Sequence, residues 1–562
     1  MSAPTEKPVD SPSNLLRTTL LGSVLVWLAF PPVGWSGLVW VAPVLWLRWI
    51  TTHQLPSHRP YFVLWFAGTT FWLLTLHWIP LPHPLNYIAW LALASYLGVY
   101  LPVFMALSRV GVHCLRLPLW LVAPVVWTGL DWLRGHLFTG FLMGSLAHTQ
   151  AGQIQVIQIA NLLGEYGVTF LILLVAACLT QCLLSNPAKP ARIQPKYLTP
   201  ALFAVMATLI YATMQSVAPL ADLKSNIDKP SPRIALIQGH TLADWKNDLD
   251  KQVSIMEEHL NLSFAAVKKS RERDHREVDL VIWPETAFRE RYDTVDKHFR
   301  LPDDIPSSRL TAGKDYLQKF VRQLGCAVLV GIDHAHLSNT DDGEVEGDYY
   351  NAAVLVDRRG TVCGMYDKMH RVVLGEYVPF ADWLPWLDSL SITGAVQRGE
   401  GPVAMQQGGV TYAVNICYET AVPHLIRRHV VQLSDQGQTP DVLVNLTNDA
   451  WFWGSSELDM HLACGVFRAV EMRTPLVIAA NGGLSAHIDA SGNILQRTPR
   501  QQTAMLLVDL HLPERSDIYP SVYAAHGDWF AILCVVCCTV FAIAGWRDKR
   551  RSKARFDRAV AE

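Results

Sequence analysis

A carboxylate, an ammonium and a thiol each stand near the end of an apolar run in this chain. Glu285 closes DLVIWPE (279–285), Lys368 lies in MYDKMH (365–370), and Cys417 closes VTYAVNIC (410–417). Together these groups could carry out covalent catalysis at a carbonyl carbon. A free thiol titrates near about 8.5, so little of it is thiolate at neutral pH. Two features could activate Cys417. The stretch CYETAVPHLIRRHV (417–430) predicts a helix whose N-terminal dipoles would favour a thiolate, and Glu285 could take the proton as general base. Lys368, with a backbone N–H such as that of Tyr418, suits the oxyanion of a tetrahedral intermediate, where loss of one donor costs about 10²–10³ in rate. No histidine is required. Taken singly, each residue also fits a plainer role: a small buried thiol, a helix cap or ion-pair carboxylate, a solvated loop charge.

The elements that must position these groups lie in residues 218–527. Short β-rich runs recur there: RIALIQ (233–238), DLVIWP (279–284), AVLVGI (327–332), NAAVLV (351–356), VTYAVNIC (410–417), DVLVNL (441–446), TPLVIAA (474–480) and AMLLVDL (504–510). Helical stretches alternate with them at 245–270, 315–324, 421–432 and 457–473. Continuous apolar strands alternating with helices predict a sheet covered by helices, an α/β domain.

The remainder of the chain reads as membrane. Half of the 562 residues are hydrophobic and the mean hydropathy is +0.18, too apolar for an ordinary soluble enzyme. Apolar runs at 15–30, 36–50, 61–79, 85–107, 117–133, 165–184, 198–217 and 528–546 predict about eight spans. They follow a polar N-terminal tail (1–14): seven lie in 15–217, the last is 528–546, and a basic tail (547–562) follows. Arg48 and Arg59, then Arg109 and Arg116, then Lys189, Arg192 and Lys196 fall in alternate loops, as do the tail residues from Arg547 onward. By the positive-inside rule these are cytoplasmic, which puts 218–527 on the extracytoplasmic side. The first run ends at Pro31-Pro32 without a small-residue cleavage site, as an uncleaved span would. A net charge of −2 argues against nucleic acid as a partner. The ten cysteines show neither zinc spacing nor a disulfide framework, and no metal or organic cofactor is expected.

The motifs around the three groups are more specific than the groups alone. Glu285, Lys368 and Cys417 match, in order and spacing, the Glu-Lys-Cys triad of the nitrilase superfamily. WPETAF (283–288), YDKMHRVVLGEYVPF (366–380), NICYET (415–420), NLTNDAWF (445–452) and DWLRGHLFTGF (131–141) resemble one membrane branch of it, the bacterial apolipoprotein N-acyltransferases, over nearly the whole chain. The resemblance implies an αββα sandwich beside a polytopic helical domain in the bacterial cytoplasmic (inner) membrane, working as a monomer. It implies a ping-pong reaction through a Cys thioester, with a phospholipid as acyl donor. The acceptor is the α-amino group of a diacylglyceryl-modified apolipoprotein. By motif position Glu376 would be a second active-site carboxylate, and Tyr418 and Glu419 would line the pocket. Trp245 would contact substrate, although it equally fits an amphipathic-helix anchor. The family usually carries Pro-Phe where Val373-Leu374 stand, Pro-Trp where Leu142-Met143 stand, and Arg where Ile478 stands. These departures bear on acyl-chain preference and lipoprotein contacts rather than on the chemistry.

Two loops carry aromatic residues that a water-facing enzyme would avoid. VPFADWLPWLDSLSI (378–392) offers Trp383 and Trp386, and AWFWG (450–454) offers Trp451. Either they dip into the outer leaflet as a lid over Cys417, or they fold inward as core. Two other functions share the same residues. A membrane-tethered amidase would send water to the same thioester. A transporter or receptor could retain a degenerate hydrolase domain, a reading that the intact Glu285, Lys368 and Cys417 oppose.

Overall fold

The computed structural model describes residues 12–184, 194–225, 231–241, 249–302, 306–378, 381, 383–384, 386, 394, 396–512 and 521–561. The described residues divide into two compact units, one drawn from Met1–Pro80, Pro84–Gln215 and His526–Glu562, the other from Leu81–His83 and Ser216–Ala525.

The first unit is helical. Four of its helical stretches are long and apolar enough to cross a membrane: Asn86–Cys114, Glu165–Leu184, Pro195–Gln215 and Trp529–Arg551. The other predicted spans are shorter or broken. Pro12–Trp27 and Pro60–Thr75 have 16 residues each. The run 36–50 divides into a 3-10 turn, Ser36–Trp40, and a short helix, Val44–Thr51, because Pro43 cannot continue a hydrogen-bonded helix from the turn before it. Leu119–His136 carries the buried pair Asp131–Arg134 at 3.1 Å. Arg134 also donates to the carbonyls of Phe141 and Met143 at 2.9 and 3.2 Å, so it pins the chain after the helix. Leu142 and Met143 are buried there. The last helix runs on through the basic tail, Trp529–Ala561.

The second unit is a two-sheet sandwich. One sheet contains β1 (Arg233–Gln238), β2 (Leu280–Ile282), β3 (Phe288–Val295), β4 (Ala327–Asn339), β5 (Val345–Val356) and β6 (Val362–Asp367). The other contains β7 (Ala404–Gln407), β8 (Val410–Ile416), β9 (Val442–Asn448), β10 (Leu476–Asn481), β11 (Ala486–Ile488) and β12 (Ile494–Arg497). Strand β13 (Ala504–Asp509) returns to the first sheet as the antiparallel partner of β1. The orders are β13-β1-β2-β4-β5-β6, with β3 on β4, and β12-β11-β10-β9-β8-β7. The centres β1-β2-β4 and β8-β9-β10 are parallel, and they account for six of the eight apolar runs, β5 and β13 for the other two.

Alternation along each strand explains why. Leu236, Ile282, Leu329 and Leu355 meet Tyr412, Val414, Val444 and Val477 between the sheets. Ala235, Ile237, Val281, Val328 and Val330 face the other way, onto Met256, Val267, Leu317 and Phe320, which lie on helices α1 (Leu249–Asp274) and α2 (Ser308–Leu324). Helices α3 (Pro423–Asp435) and α4 (Glu457–Met472) follow β8 and β9, and Gly465 of α4 rests against Ile478, Ile488 and Leu476 of the second sheet. The architecture is therefore the predicted αββα arrangement.

At the end of β2 the chain turns sharply beside β4. A methyl group on Gly331 would meet the Pro284 carbonyl, the Glu285 Cα at 2.6 Å and the Thr286 nitrogen at 2.7 Å. These are backbone atoms and cannot rotate aside. Gly331→Ala is expected to destabilise the fold by about 1–3 kcal/mol and to displace Glu285, read as a lowered thermal unfolding midpoint. An unchanged midpoint would show that the turn gives way freely.

Candidate active site

Strand ends deliver the polar groups to one place. Glu285 follows β2, Lys368 follows β6, and Cys417 follows β8. Lys368 is buried, and its Nζ lies 2.8 Å from Glu376 Oε1 and 3.3 Å from Glu285 Oε1. Asn351, on β5, donates through Nδ2 to both carboxylates, at 2.7 Å to Glu285 and 3.1 Å to Glu376. Backbone N–H groups complete the shell: Asn448 to Glu285 Oε2 at 2.9 Å and Val372 to Glu376 Oε2 at 2.9 Å. The turn that carries Glu376 is closed by Leu374, at φ +63°, whose N–H donates to the Tyr377 carbonyl at 2.8 Å. The departure Val373-Leu374 thus sits in the bend that aims Glu376, while Ile478 is buried in β10.

Electrostatics follow from this packing. Burial opposes the Lys368 charge, yet Glu376, Glu285 and Cys417 overcome it and hold the ammonium well above its ordinary pKa. Burial likewise pushes the Glu376 carboxyl up, but the Lys368 charge and hydrogen bond, with those of Val372 and Asn351, pull it below the usual range. Cys417 is in the opposite condition. Burial and the Glu285 charge raise its thiol well above the usual value, against the pull of Lys368.

The predicted helix at 417–430 is corrected by the structure. Cys417 opens a single 3-10 turn, Cys417–Ala421, with φ +54°, after an extended Ile416. Val422 is extended at φ −111° and ψ 93°, and α3 begins only at Pro423. Proline disfavours the α conformation in the residue before it, and here the helix restarts at the proline. The nucleophile candidate therefore stands on a strained elbow, without an α-helix dipole beneath it, and its thiol is protonated at rest.

Glu419 also departs from expectation. It is completely buried rather than lining a pocket. Its carboxylate accepts the Ile416 N–H at 2.7 Å, the Met369 and His370 N–H groups at 2.7 and 2.8 Å, and the Tyr366 hydroxyl at 2.8–2.9 Å. It ties the nucleophile turn to the segment that carries Lys368. Tyr418 is half-buried, packs against the inter-sheet core and faces the His370 ring at 5.9 Å.

Of the aromatic residues, Trp383 and Trp386 are 81% and 64% exposed. In the second loop the exposed side chain is Trp453 at 61%, whereas Trp451 is half-buried on the 3-10 turn Asp449–Phe452. Trp245 lies outside the described residues.

Several site groups carry no signal in the sequence. Asn351 and Asn448 are polar residues in apolar strands, and only the fold shows that they grip Glu285. Asn481 in turn donates to Asn448 Oδ1 at 2.9 Å. Beneath Cys417, His461 of α4 contacts the Cys417 carbonyl through Nε2 at 3.1 Å and Asp449 Oδ1 through Nδ1 at 3.3 Å. Asp449, Glu457 and His461 bring possible metal-ligand atoms within 4.8 Å of one another. Both imidazole nitrogens, however, face oxygens that can only accept, so each bears a proton and no ring lone pair is left for an ion.

Two family models match the chain: an apolipoprotein N-acyltransferase N-terminal domain over residues 22–178 and a carbon-nitrogen hydrolase domain over 233–518. An apolipoprotein N-acyltransferase of Geobacter metallireducens is 31% identical, covering 94% of this chain and 95% of its own. The chain belongs to the apolipoprotein N-acyltransferase family. Another such acyltransferase, from Rhodopirellula baltica, is 29% identical over 95% of this chain and 98% of its own. A solved amidase from a Nesterenkonia species is similar at 18% identity and TM-score 0.34, covering 54% of this chain and 96% of its own.

The buried charges of this acyltransferase make a checkable claim about pH. Glu376→Ala leaves the Lys368 ammonium with one carboxylate fewer, and breaking such a buried pair costs about 3–5 kcal/mol. A carboxyl depressed on folding contributes fully above its unfolded pKa near about 4.3 and loses that contribution as pH falls through its folded value. The stabilities of wild type and variant, measured by denaturant titration, should therefore differ most at neutral pH and converge on acidification. A gap that stays constant with pH would contradict the pairing.

Proposed function

We propose that Glu285, Lys368 and Cys417 form the catalytic triad of this acyltransferase. Glu285 takes the Sγ proton as the sulfur attacks the ester carbonyl carbon of a phospholipid. The oxyanion is met by the Lys368 ammonium and the Tyr418 N–H. When the intermediate collapses, the ester C–O bond breaks, and Glu285 returns the proton to the departing lysophospholipid alkoxide. The acyl chain remains on Cys417 as a thioester. The α-amino group of a diacylglyceryl-cysteine N-terminus then attacks it, Glu285 accepts the amine proton and passes it to the Cys417 sulfur as the C–S bond breaks, and the amide and free thiol are released. Glu376 keeps Lys368 charged and in place.

The observation that carries this reading is the buried Lys368 ammonium, held at hydrogen-bonding distance by two carboxylates whose charges also act on the Cys417 thiol. A donor fixed in low dielectric before the reaction starts is what a developing oxyanion requires. The raised thiol makes the general base necessary rather than optional.

The protein is a membrane protein, and we read its topology as eight crossings. Seven lie within 15–217 and the last at 528–546, with 218–527 on the extracytoplasmic face of the bacterial inner membrane. The alternating basic loops support that orientation. The exposed Trp383 and Trp386, beside the half-exposed Leu384, support a loop that enters the outer leaflet, where an indole keeps its N–H wet and its ring in hydrocarbon.

Pure protein mixed with phospholipid alone should gain the mass of one acyl chain on Cys417, discharged by a lipopeptide with a free N-terminal amine. Cys417→Ala should abolish the adduct, and Glu285→Gln should slow its formation by at least about 100-fold. Rapid loss of the adduct to water would favour an amidase, and its absence from folded protein would refute the triad. In the same assay, Trp383→Ala with Trp386→Ala should raise the phospholipid concentration needed by about 10-fold, the loss of roughly 1.4 kcal/mol of aromatic burial. An unchanged requirement would remove the loop from the membrane.

A further inference from the structure

The peptide that joins Cys417 to Tyr418 is gripped from one side. Its carbonyl oxygen accepts two hydrogen bonds, from Asn445 Nδ2 and from His461 Nε2, each at 3.1 Å. Asn445 is itself oriented, because its Nδ2 also donates to Asn415 Oδ1 at 2.8 Å. His461 is oriented by Asp449 at 3.3 Å, and Asp449 by the Thr447 hydroxyl at 2.6 Å. All five side chains are buried.

A trans peptide is planar, and its C=O and N–H point in opposite directions. Holding the Cys417 carbonyl down onto His461 therefore turns the Tyr418 N–H to the opposite side. The grip also opposes a backbone that would otherwise relax, since the left-handed region is strained for a non-glycine residue, and Cys417 is at φ +54°.

We infer that His461 is a positioning residue for acyl transfer: by binding the Cys417 carbonyl it fixes the direction of the Tyr418 N–H toward the oxyanion. The inference rests on the thioester reading above. His461 touches no reacting atom and works only through the peptide. A cation is suited to this place, because a charged donor on a carbonyl polarises the whole amide and strengthens the N–H at its other end. Two observations favour a charged ring: both of its nitrogens face acceptors, and Asp449 supplies the counter-charge. Burial opposes the charge, but Asp449 and the nearby Glu457 raise its pKa to about 10. The other carboxyl nearby, Glu457, is pushed well above its usual range by burial and by Asp449.

The test compares two reactions of the same sulfur in the full chain, purified in detergent micelles. One is acylation by phospholipid, which passes through an oxyanion. The other is alkylation by chloroacetamide at an sp³ carbon, which does not. His461→Ala should slow acylation by about 10–100-fold, a part of the 10²–10³ lost when an oxyanion donor is deleted. The phospholipid concentration giving half the maximal rate should stay the same, and so should the alkylation rate. His461→Gln, whose amide can still donate to the carbonyl, should recover part of the acylation. If both reactions fall together, or if acylation is unaffected, the inference is overturned. Should His461→Ala fail to fold, the ratio of acylation to alkylation in His461→Gln decides, and an unchanged ratio overturns it. Wild type that forms no acyl adduct at all would instead refute the catalytic role of Cys417.

Discussion

A lysine ammonium sealed between two carboxylates is the constraint around which this acyltransferase is arranged. Removing a charge from water is costly unless its partners are close and fixed, and Lys368 is completely surrounded by partners that are themselves fixed. Asn351 bridges Glu285 and Glu376, the Asn448 N–H holds the free oxygen of Glu285, and the tight turn at Leu374 aims Glu376. These groups come from the segment after β2, from strands β5 and β9 and from the turn after β6. The cation can be buried only when both sheets are assembled, so the chemistry is tied to the completed fold.

The nucleophile side is built by the same logic but to a different end. Glu419 accepts backbone N–H groups from both the Cys417 turn and the segment following Lys368, which makes the two halves of the site a single hydrogen-bonded piece. Asn445 and His461 hold the Cys417 carbonyl from beneath. The sulfur is thereby placed with little freedom, yet it receives no permanent activation. In the mechanism proposed above, its ionisation is left to Glu285 at the moment of reaction.

Much of this was legible in the chain. The eight apolar runs of the catalytic domain all proved to be strands: six form the parallel centres of the two sheets, where burial on both faces demands apolar residues throughout, and β5 and β13 pair antiparallel beside them. The strands that escaped notice were β3, β6, β7, β11 and β12. FRERYDTV of β3 and the fully exposed ILQR of β12 are too polar to announce themselves. The motifs singled out Glu285, Lys368, Glu376 and Cys417, and the fold brings the first three into hydrogen-bonding contact. The helix expected under Cys417 was an error that Pro423 could have prevented, since the extended Val422 is the ordinary consequence of a following proline. Asn351 and His461 could not be found by inspection. A buried asparagine or histidine has meaning only through partners that are distant in the chain: 66 positions to Glu285 for the first and 44 to Cys417 for the second. The membrane unit was less legible at its ends, where Pro43 and the short helices divide runs that hydropathy alone would join.

The protonated state of the resting thiol has a consequence beyond rate. Peroxides and disulfides react with thiolates, and susceptibility to them follows thiolate character. On the extracytoplasmic orientation proposed above, Cys417 would be a ready target if it were ionised while idle. The burial that raises its thiol therefore also lowers its susceptibility to such oxidants while no lipid is being processed.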